Sequence, residues 1–204
     1  KQIDAIMGKI QKNLEEKHND MVRFEYINHL GYYCTESSEH NAEYNPWFIK
    51  RNYPDMTETF KIPLDEYPRR CISQLEGWEK ERNSILNNGQ ITHQRSHEYA
   101  SYIVEAVVTN KPYKIGGNVL NNNLITNLPA DACVEVPCLV DGSGITPCHV
   151  GKLPIQLAAM NMTNINVQLL TIEAAVTKDR NYIYQAAMMD PHTGAELNIA
   201  DIKA

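Results

Sequence analysis

Several features are missing from this 204-residue chain, and each absence narrows what it can be. No apolar stretch approaches the roughly 20 residues that a spanning helix needs. Residues 1–18 are charged throughout, where a secretion signal would have an apolar core, so a cytoplasmic setting is expected. Cations are not in surplus. With 19 Lys and Arg against 25 Asp and Glu, the formal charge is −6, which argues against a nucleic-acid or anionic-membrane surface, because both lean on excess Lys and Arg. The five cysteines, at positions 34, 71, 133, 138 and 148, are odd in number and irregular in spacing, which favours reduced thiols over a disulfide framework. The chain has no G-x-G-x-x-G turn, the device that seats a dinucleotide's pyrophosphate on a helix N-terminus. Internal repeats and low-complexity runs are absent as well.

What is present reads as a single domain large enough for one sizeable core, with 43% hydrophobic residues. Ile3, Ile6, Met7, Ile10 and Leu14 recur at helical spacing and predict an amphipathic helix over 3–17. A second helix runs through Val22, Tyr26 and Leu30 and ends at Gly31, a residue suited to the left-handed turn after a helix. The proline-bearing stretch 49–66 reads as loop, and Leu64 to Asn88 as a long helix with Ile72, Leu75, Trp78, Ile85 and Leu86 on one side. Ser96 is placed to open a further helix carrying Ala100, Ile103, Val104 and Val107, which Lys111-Pro112 ends. Strands are predicted at 112–120 and 132–140; in the second, Val134, Val136, Cys138 and Val140 alternate with Cys133 and Glu135. Pro154 suits a first helical turn, and helices are predicted over 154–161, 166–177 and 179–189. The fold class is α+β, mainly helical with a small mixed or antiparallel sheet.

One stretch is chemically dense. Thr35-Glu36-Ser37-Ser38-Glu39-His40-Asn41-Ala42-Glu43-Tyr44 puts titratable and hydroxyl side chains in what reads as a loop. Aromatic segments flank it, Tyr32-Tyr33 before and Trp47-Phe48 after, and a polar rim between aromatic faces is the mixture that sugar sites use. Residues 32–48 are therefore expected to border the largest polar pocket or open face, with Glu36 and His40 turned toward it. Cys133 and Cys138 are a weaker signal. Their odd separation puts them on opposite faces of a strand, so a zinc site between them is not expected.

These residues, together with Ser96-His97-Glu98-Tyr99-Ala100-Ser101, Gly117-Asn118-Val119-Leu120-Asn121-Asn122-Asn123, Val134-Glu135-Val136-Pro137-Cys138, His149-Val150-Gly151-Lys152-Leu153-Pro154, Asn161-Met162-Thr163-Asn164 and Met189-Asp190-Pro191-His192-Thr193, keep an order and spacing that resemble family 4 of the glycoside hydrolases, in its α-galactosidase branch. The resemblance covers only the C-terminal half of such an enzyme. It implies the substrate-side domain of a lactate/malate dehydrogenase-like fold, with an N-terminal NAD-binding domain as partner and a homo-oligomer as the assembly. It also implies NAD and manganese in the full-length enzyme, a glycoside substrate, and a reaction that oxidises the sugar at C3, eliminates the aglycone after loss of the C2 proton, adds water and returns the hydride. The chain by itself is expected to be inactive.

The resemblance also distributes roles. Glu36, His40, Tyr32 and Tyr33 are the candidates for the catalytic base. The Tyr that serves as base in the phospho-glucosidase branch falls on His29 here and is absent. Ser38, Glu39, Glu43, Arg69, Arg70, Tyr99, Asn118 and Asn121 are the candidates for substrate binding. Asn123 stands where the family has Gly in Asn-Asn-Gly, and Asn tolerates the left-handed conformation that a tight turn there requires. Tyr26-Ile27-Asn28-His29 looks like the family's metal-binding Gly-x-Asn-His but sits too close to the Glu36–His40 cluster, so no metal ligand is assigned in this chain. Two other readings stay open: an NAD-dependent oxidoreductase of the lactate/malate dehydrogenase type, which would release NADH on turnover, and a non-catalytic interaction domain.

Overall fold

The computed structural model describes residues 18–88, 94–96 and 98–204, and the helix expected over 3–17 lies outside them. The sequence reads as one domain, and the contacts divide it into two compact units. One holds the residues up to Leu64 together with Pro154–Ala204, and the other is Asp65–Leu153.

The first unit is helical. Helix α1 (Met21–Leu30) ends on Gly31, whose φ of 78° is the left-handed turn expected there; its amide closes onto the Ile27 carbonyl. Helix α2 (Ser38–Tyr44) corrects the sequence reading of 35–45 as loop. The reason is local: the Ser37 hydroxyl accepts from the His40 N–H at 3.2 Å, an N-cap whose signature lay inside the polar cluster. Helix α3 (Asp55–Thr59) occupies part of the stretch read as loop, starting directly after Pro54. Val22, Tyr26, Ala42, Phe48 and Ile62 make a core that binds α1 to α2 and to the turns beyond it.

The second unit begins with α4 (Glu66–Asn88) and α5 (Ala100–Thr109). Ser96 does not cap α5; its hydroxyl accepts from the Glu98 N–H at 3.3 Å, a turn that precedes the helix. Three strands follow, β1 (Tyr113–Leu120), β2 (Cys133–Asp141) and β3 (Gly144–Pro147), antiparallel in the order β1-β2-β3. The alternation read from sequence holds along β2: Val134, Val136, Cys138 and Val140 are buried beneath α5, and Cys133 is exposed on the other face. Gly117 allows this packing, since a Cβ there would stand 2.7 Å from the Cys138 Sγ. β3, short and with only its two ends partly buried, was not foreseen.

Back in the first unit, α6 (Ile155–Thr177) is a single helix where two were predicted, and Pro154 stands just before it with an extended ψ of 142°, not in its first turn. Polar residues around the gap between the two predicted helices bond to their own helix: Asn161 Nδ2 donates to the Leu157 carbonyl at 2.8 Å and Thr163 Oγ1 to the Met160 carbonyl at 2.7 Å. Helices α7 (Asn181–Met189), α8 (Pro191–Glu196) and α9 (Ile199–Lys203) close the chain. α7 packs on α6, and α8 lies between α7 and α2. Among the described residues, no helix is long and apolar enough to cross a membrane.

Candidate functional site

Helix α2 gathers most of the candidates in the first unit. Its placement depends on a buried polar knot. The Tyr26 hydroxyl donates to the Asn41 carbonyl at 3.1 Å and receives the Asn45 amide at 2.9 Å, while Asn41 Nδ2 donates to the Glu36 and Ser37 carbonyls. Burial pushes the Tyr26 hydroxyl far above the ordinary phenol range, so it stays a neutral donor. This knot clamps α2 to α1 and fixes which way its remaining side chains face. Cys34 joins it, its Sγ 3.3 Å from Asn41 Oδ1.

The candidates then part ways. Ser38 is buried, and its hydroxyl accepts from the Arg23 N–H at 3.3 Å, so it serves the α1–α2 contact and has no open face for a ligand. Glu36 is exposed and accepts from the Ser37 N–H at 2.8 Å, which leaves most of its carboxylate in water. His40 Nδ1 lies 2.7 Å from Glu43 Oε2. That hydrogen bond, aided by the charges of Glu43, Glu36 and Glu39 and only partly opposed by burial, raises the imidazole pKa above its ordinary value. Glu39 shares the first turn of the helix. Tyr32 and Tyr33 are half exposed, and the Arg23 guanidinium sits 4.9 Å from the centre of the Tyr33 ring.

Of residues 32–48, Glu43 reaches a polar hollow of about 380 Å³, shared with Arg51, Asp190, His192, Thr193 and Glu196. Glu36 and His40 do not line it, and it is not the largest: hollows of about 450 Å³ beside α7 and α9 and about 540 Å³ beside Arg69 and Arg70 exceed it. Among the described residues, the largest polar pocket is therefore not at 32–48, and Glu36 stands on an open face instead. A short helix turns its successive side chains to different sides, so Glu43 lines the hollow beside α8 while Glu39 and His40 do not. Trp47 and Phe48 instead line an apolar hollow of about 360 Å³ with Tyr26, Leu30 and Met56.

The structure brings together two segments that the sequence keeps far apart, 35–48 and 189–193. Asp190 caps α8 by accepting from the Thr193 N–H at 2.6 Å, with Pro191 in the first turn. Glu196 accepts from the Arg51 N–H at 3.3 Å and lies 3.8 Å from Lys50 Nζ, so α8 is tied to the turn that follows α2. Arg51, His192 and Glu196 were not singled out from sequence. The Asp-Pro-x-Thr pattern of a capped helix start was the signal available for this side of the hollow.

The second unit carries the other candidates, separately. Asn121 is fully buried; its amide donates to the carbonyls of Ile125, Leu128 and Pro129 at 2.9–3.0 Å, and its Oδ1 accepts from the Ile125 N–H at 2.7 Å. Fully buried and committed to these backbone groups, it has no face open to a substrate, which corrects its assignment. The turn it supports is the expected one: Asn122 and Asn123 have φ of 42° and 63°. Asn118 lies on the exposed face of β1, opposite Glu135. Tyr99 donates through its hydroxyl to the Gly116 carbonyl at 3.1 Å, and Tyr102 stacks on Tyr113, which fits packing roles better than ligand contact. Arg69 and Arg70 both pair with Glu66 at 3.4 Å on the first turns of α4. Among the described residues, no group of three or more His, Cys, Asp or Glu is arranged to hold a metal ion.

This arrangement can be set beside known proteins. The C-terminal domain model of the family 4 glycosyl hydrolases matches residues 1–193. The chain belongs to that family. It is 60% identical to an α-galactosidase of Bacillus subtilis (strain 168) over 97% of its own length and 46% of the relative's. In structure it is similar to the lplD protein of Bacillus subtilis, with a TM-score of 0.82 at 20% identity, over 96% of this chain and 47% of that one. It is also similar to a 6-phospho-α-glucosidase from gut microorganisms crystallised with NAD and Mn²⁺, with a TM-score of 0.65 at 19% identity, over 89% of this chain and 40% of that one. These likenesses support the α+β fold expected from sequence. The chain spans about half the length of the relatives it matches.

Proposed function

We propose that the full-length protein carrying this chain is an α-galactosidase that uses NAD and Mn²⁺, and that this chain supplies the face that meets the sugar. The observation that carries the reading is α2: a helix placed by a buried hydrogen-bond knot, with Glu39, His40 and Glu43 on it, Glu36 just before its Ser37 cap and exposed aromatic rings on either side. The 60% identity to an α-galactosidase supports the substrate class.

The described residues do not fit the cofactors. They include no metal-binding group, and the sequence has no glycine-rich dinucleotide turn, so NAD and Mn²⁺ are assigned to the rest of the protein. The reaction we assign to the whole is oxidation at C3, elimination across C2 and C1, addition of water and return of the hydride. Within it Glu36 is the candidate for removing the C2 proton. Its carboxylate is exposed and holds only a neighbouring amide, so it is accessible to a sugar. His40, held toward its charged form by Glu43, is better suited to donating a hydrogen bond to a sugar hydroxyl than to taking a proton. Glu43, at the polar hollow, is the candidate for a second sugar contact.

The test is Glu36→Gln in the full-length protein, assayed on an aryl α-galactoside with NAD and Mn²⁺. Loss of a general base should cost about 10²–10⁴-fold in turnover. The melting temperature should hardly move, because the side chain supports no packing. Wild-type hydrolysis should be slowed by deuterium at C2 and should release no net NADH. Turnover of Glu36→Gln at the wild-type rate would remove Glu36 from the chemistry, and NADH accumulating with product would favour an oxidoreductase.

A further inference from the structure

The start of α1 breaks a local rule. Asp20 holds the N-cap position, where an aspartate ordinarily accepts from an amide two or three residues on, yet its side chain caps nothing. The third of those amides belongs to Arg23 and goes to the Ser38 hydroxyl of α2 at 3.3 Å. The Asp20 carboxylate is thereby released for the Arg23 side chain: Oδ1 accepts from Nε at 3.0 Å and from Nη2 as well. A planar guanidinium gripped at two nitrogens has little rotational freedom left, and this side chain is only 19% exposed. Its central carbon lies 4.9 Å from the centre of the Tyr33 ring, within cation–π range. Tyr33 sits on the turn from α1 to α2 and is 54% exposed. Tyr32 beside it is 50% exposed and has no ring or cation partner among the described residues. Of the two rings, one is held and the other is not.

We propose that Arg23, gripped by Asp20, is a positioning residue: it fixes the Tyr33 ring as a platform on which the apolar face of the sugar stacks. This rests on the reading of α2 and its flanking aromatic rings as the side that meets the sugar. A pyranose carries C–H groups on its faces and hydroxyls around its rim. It can lie flat on an aromatic ring while its hydroxyls reach polar side chains alongside. The guanidinium covers one face of Tyr33, which leaves the opposite face for the sugar. A ring already fixed loses little freedom when the sugar arrives, so binding is favoured without any new contact to the protein. The role this gives Tyr33 is ground-state binding and not proton transfer. Its loss should therefore appear in KM and leave kcat nearly unchanged.

The experiment uses the full-length protein with NAD, Mn²⁺ and an aryl α-galactoside. Tyr33→Ala should raise KM about tenfold, the loss of one aromatic contact, with kcat within about twofold of wild type. Arg23→Met keeps the aliphatic stem without the cation and should raise KM about threefold, while Arg23→Lys, which supplies a cation without the fork, should raise it less. In the Tyr33→Ala background, Arg23→Met should change KM no further, because no ring is left to position. A second measurement does not depend on turnover. With 3-fluorotyrosine in place of Tyr33, Arg23→Met should shift the fluorine resonance, and methyl α-galactoside should shift it in the protein that retains Arg23. Three results would overturn the proposal: an unchanged KM for Tyr33→Ala, KM effects that multiply in the double variant, or a fluorine resonance unmoved by Arg23→Met or by methyl α-galactoside. If one of these occurs while Glu36→Gln is slow, the platform falls and the sugar-facing reading of α2 stands. A full-length protein that hydrolyses no α-galactoside would remove both.

Discussion

His40 and Glu43 stand three residues apart on α2, close enough for a hydrogen bond of 2.7 Å, and that bond favours the charged form of the imidazole. The folded imidazole has the higher pKa, so the pair's contribution to stability is complete below the unfolded value of about 6.5 and disappears as pH rises through the raised folded value. Both side chains are more than a third exposed, which limits the effect to less than about 1 kcal/mol. Glu43→Gln should therefore lower the melting temperature slightly near pH 6 and not at all near pH 9. The same substitution should move the midpoint of the His40 ring-proton titration to lower pH. An unchanged midpoint would mean that the hydrogen bond does not persist in solution.

At the scale of elements, two asparagines three positions apart have opposite duties. Asn121 is the hub of the turn after β1, and Asn118 lies on the open face of that strand. Asn121→Ala would strip the Leu128 carbonyl and the Ile125 N–H of their partner and remove one of the donors to the Ile125 and Pro129 carbonyls, and with each unsatisfied group costing about 1–3 kcal/mol the loss should be about 2–6 kcal/mol. Asn118→Ala should leave the melting temperature within a degree or two. Equal melts for the two variants would contradict the hub. Both residues belong to one Asn-rich motif, and sequence alone gives them the same role, because burial is decided by the partners that the turn assembles.

The same contrast explains what was legible. Features set by neighbours in the chain were read correctly: the Gly31 stop of α1, the alternation along β2 and the left-handed Asn123. The Ser37 cap was equally local, but the density of polar residues around it disguised a helix as a loop. Features set by distant partners were not legible. Nothing near Glu43 announces Arg51, His192 or Glu196, and nothing near Ser38 announces that Arg23 will take its hydroxyl. The polar interior of α6 misled for a related reason, since Asn and Thr there bond back to their own helix and let it continue.

At the scale of the molecule, the first unit is made of two pieces of chain, the part up to Leu64 and Pro154–Ala204, while the second is one uninterrupted piece between them. That topology has a kinetic consequence. The contacts of α8 with α2, and the bond between the Arg51 amide and Glu196, span a loop as long as the whole second unit, and the entropy of closing such a loop must be met before those contacts form. The β1-β2-β3 meander joins neighbours through short connections and needs no such closure. During synthesis it also leaves the ribosome before its flanking unit is complete. Pulse-labelled hydrogen exchange should therefore find the amides of β1 and β2 protected before those of α8. The polar hollow at Glu43 would be among the last parts of the molecule to exist, assembled only when the final residues come back to a helix made near the beginning.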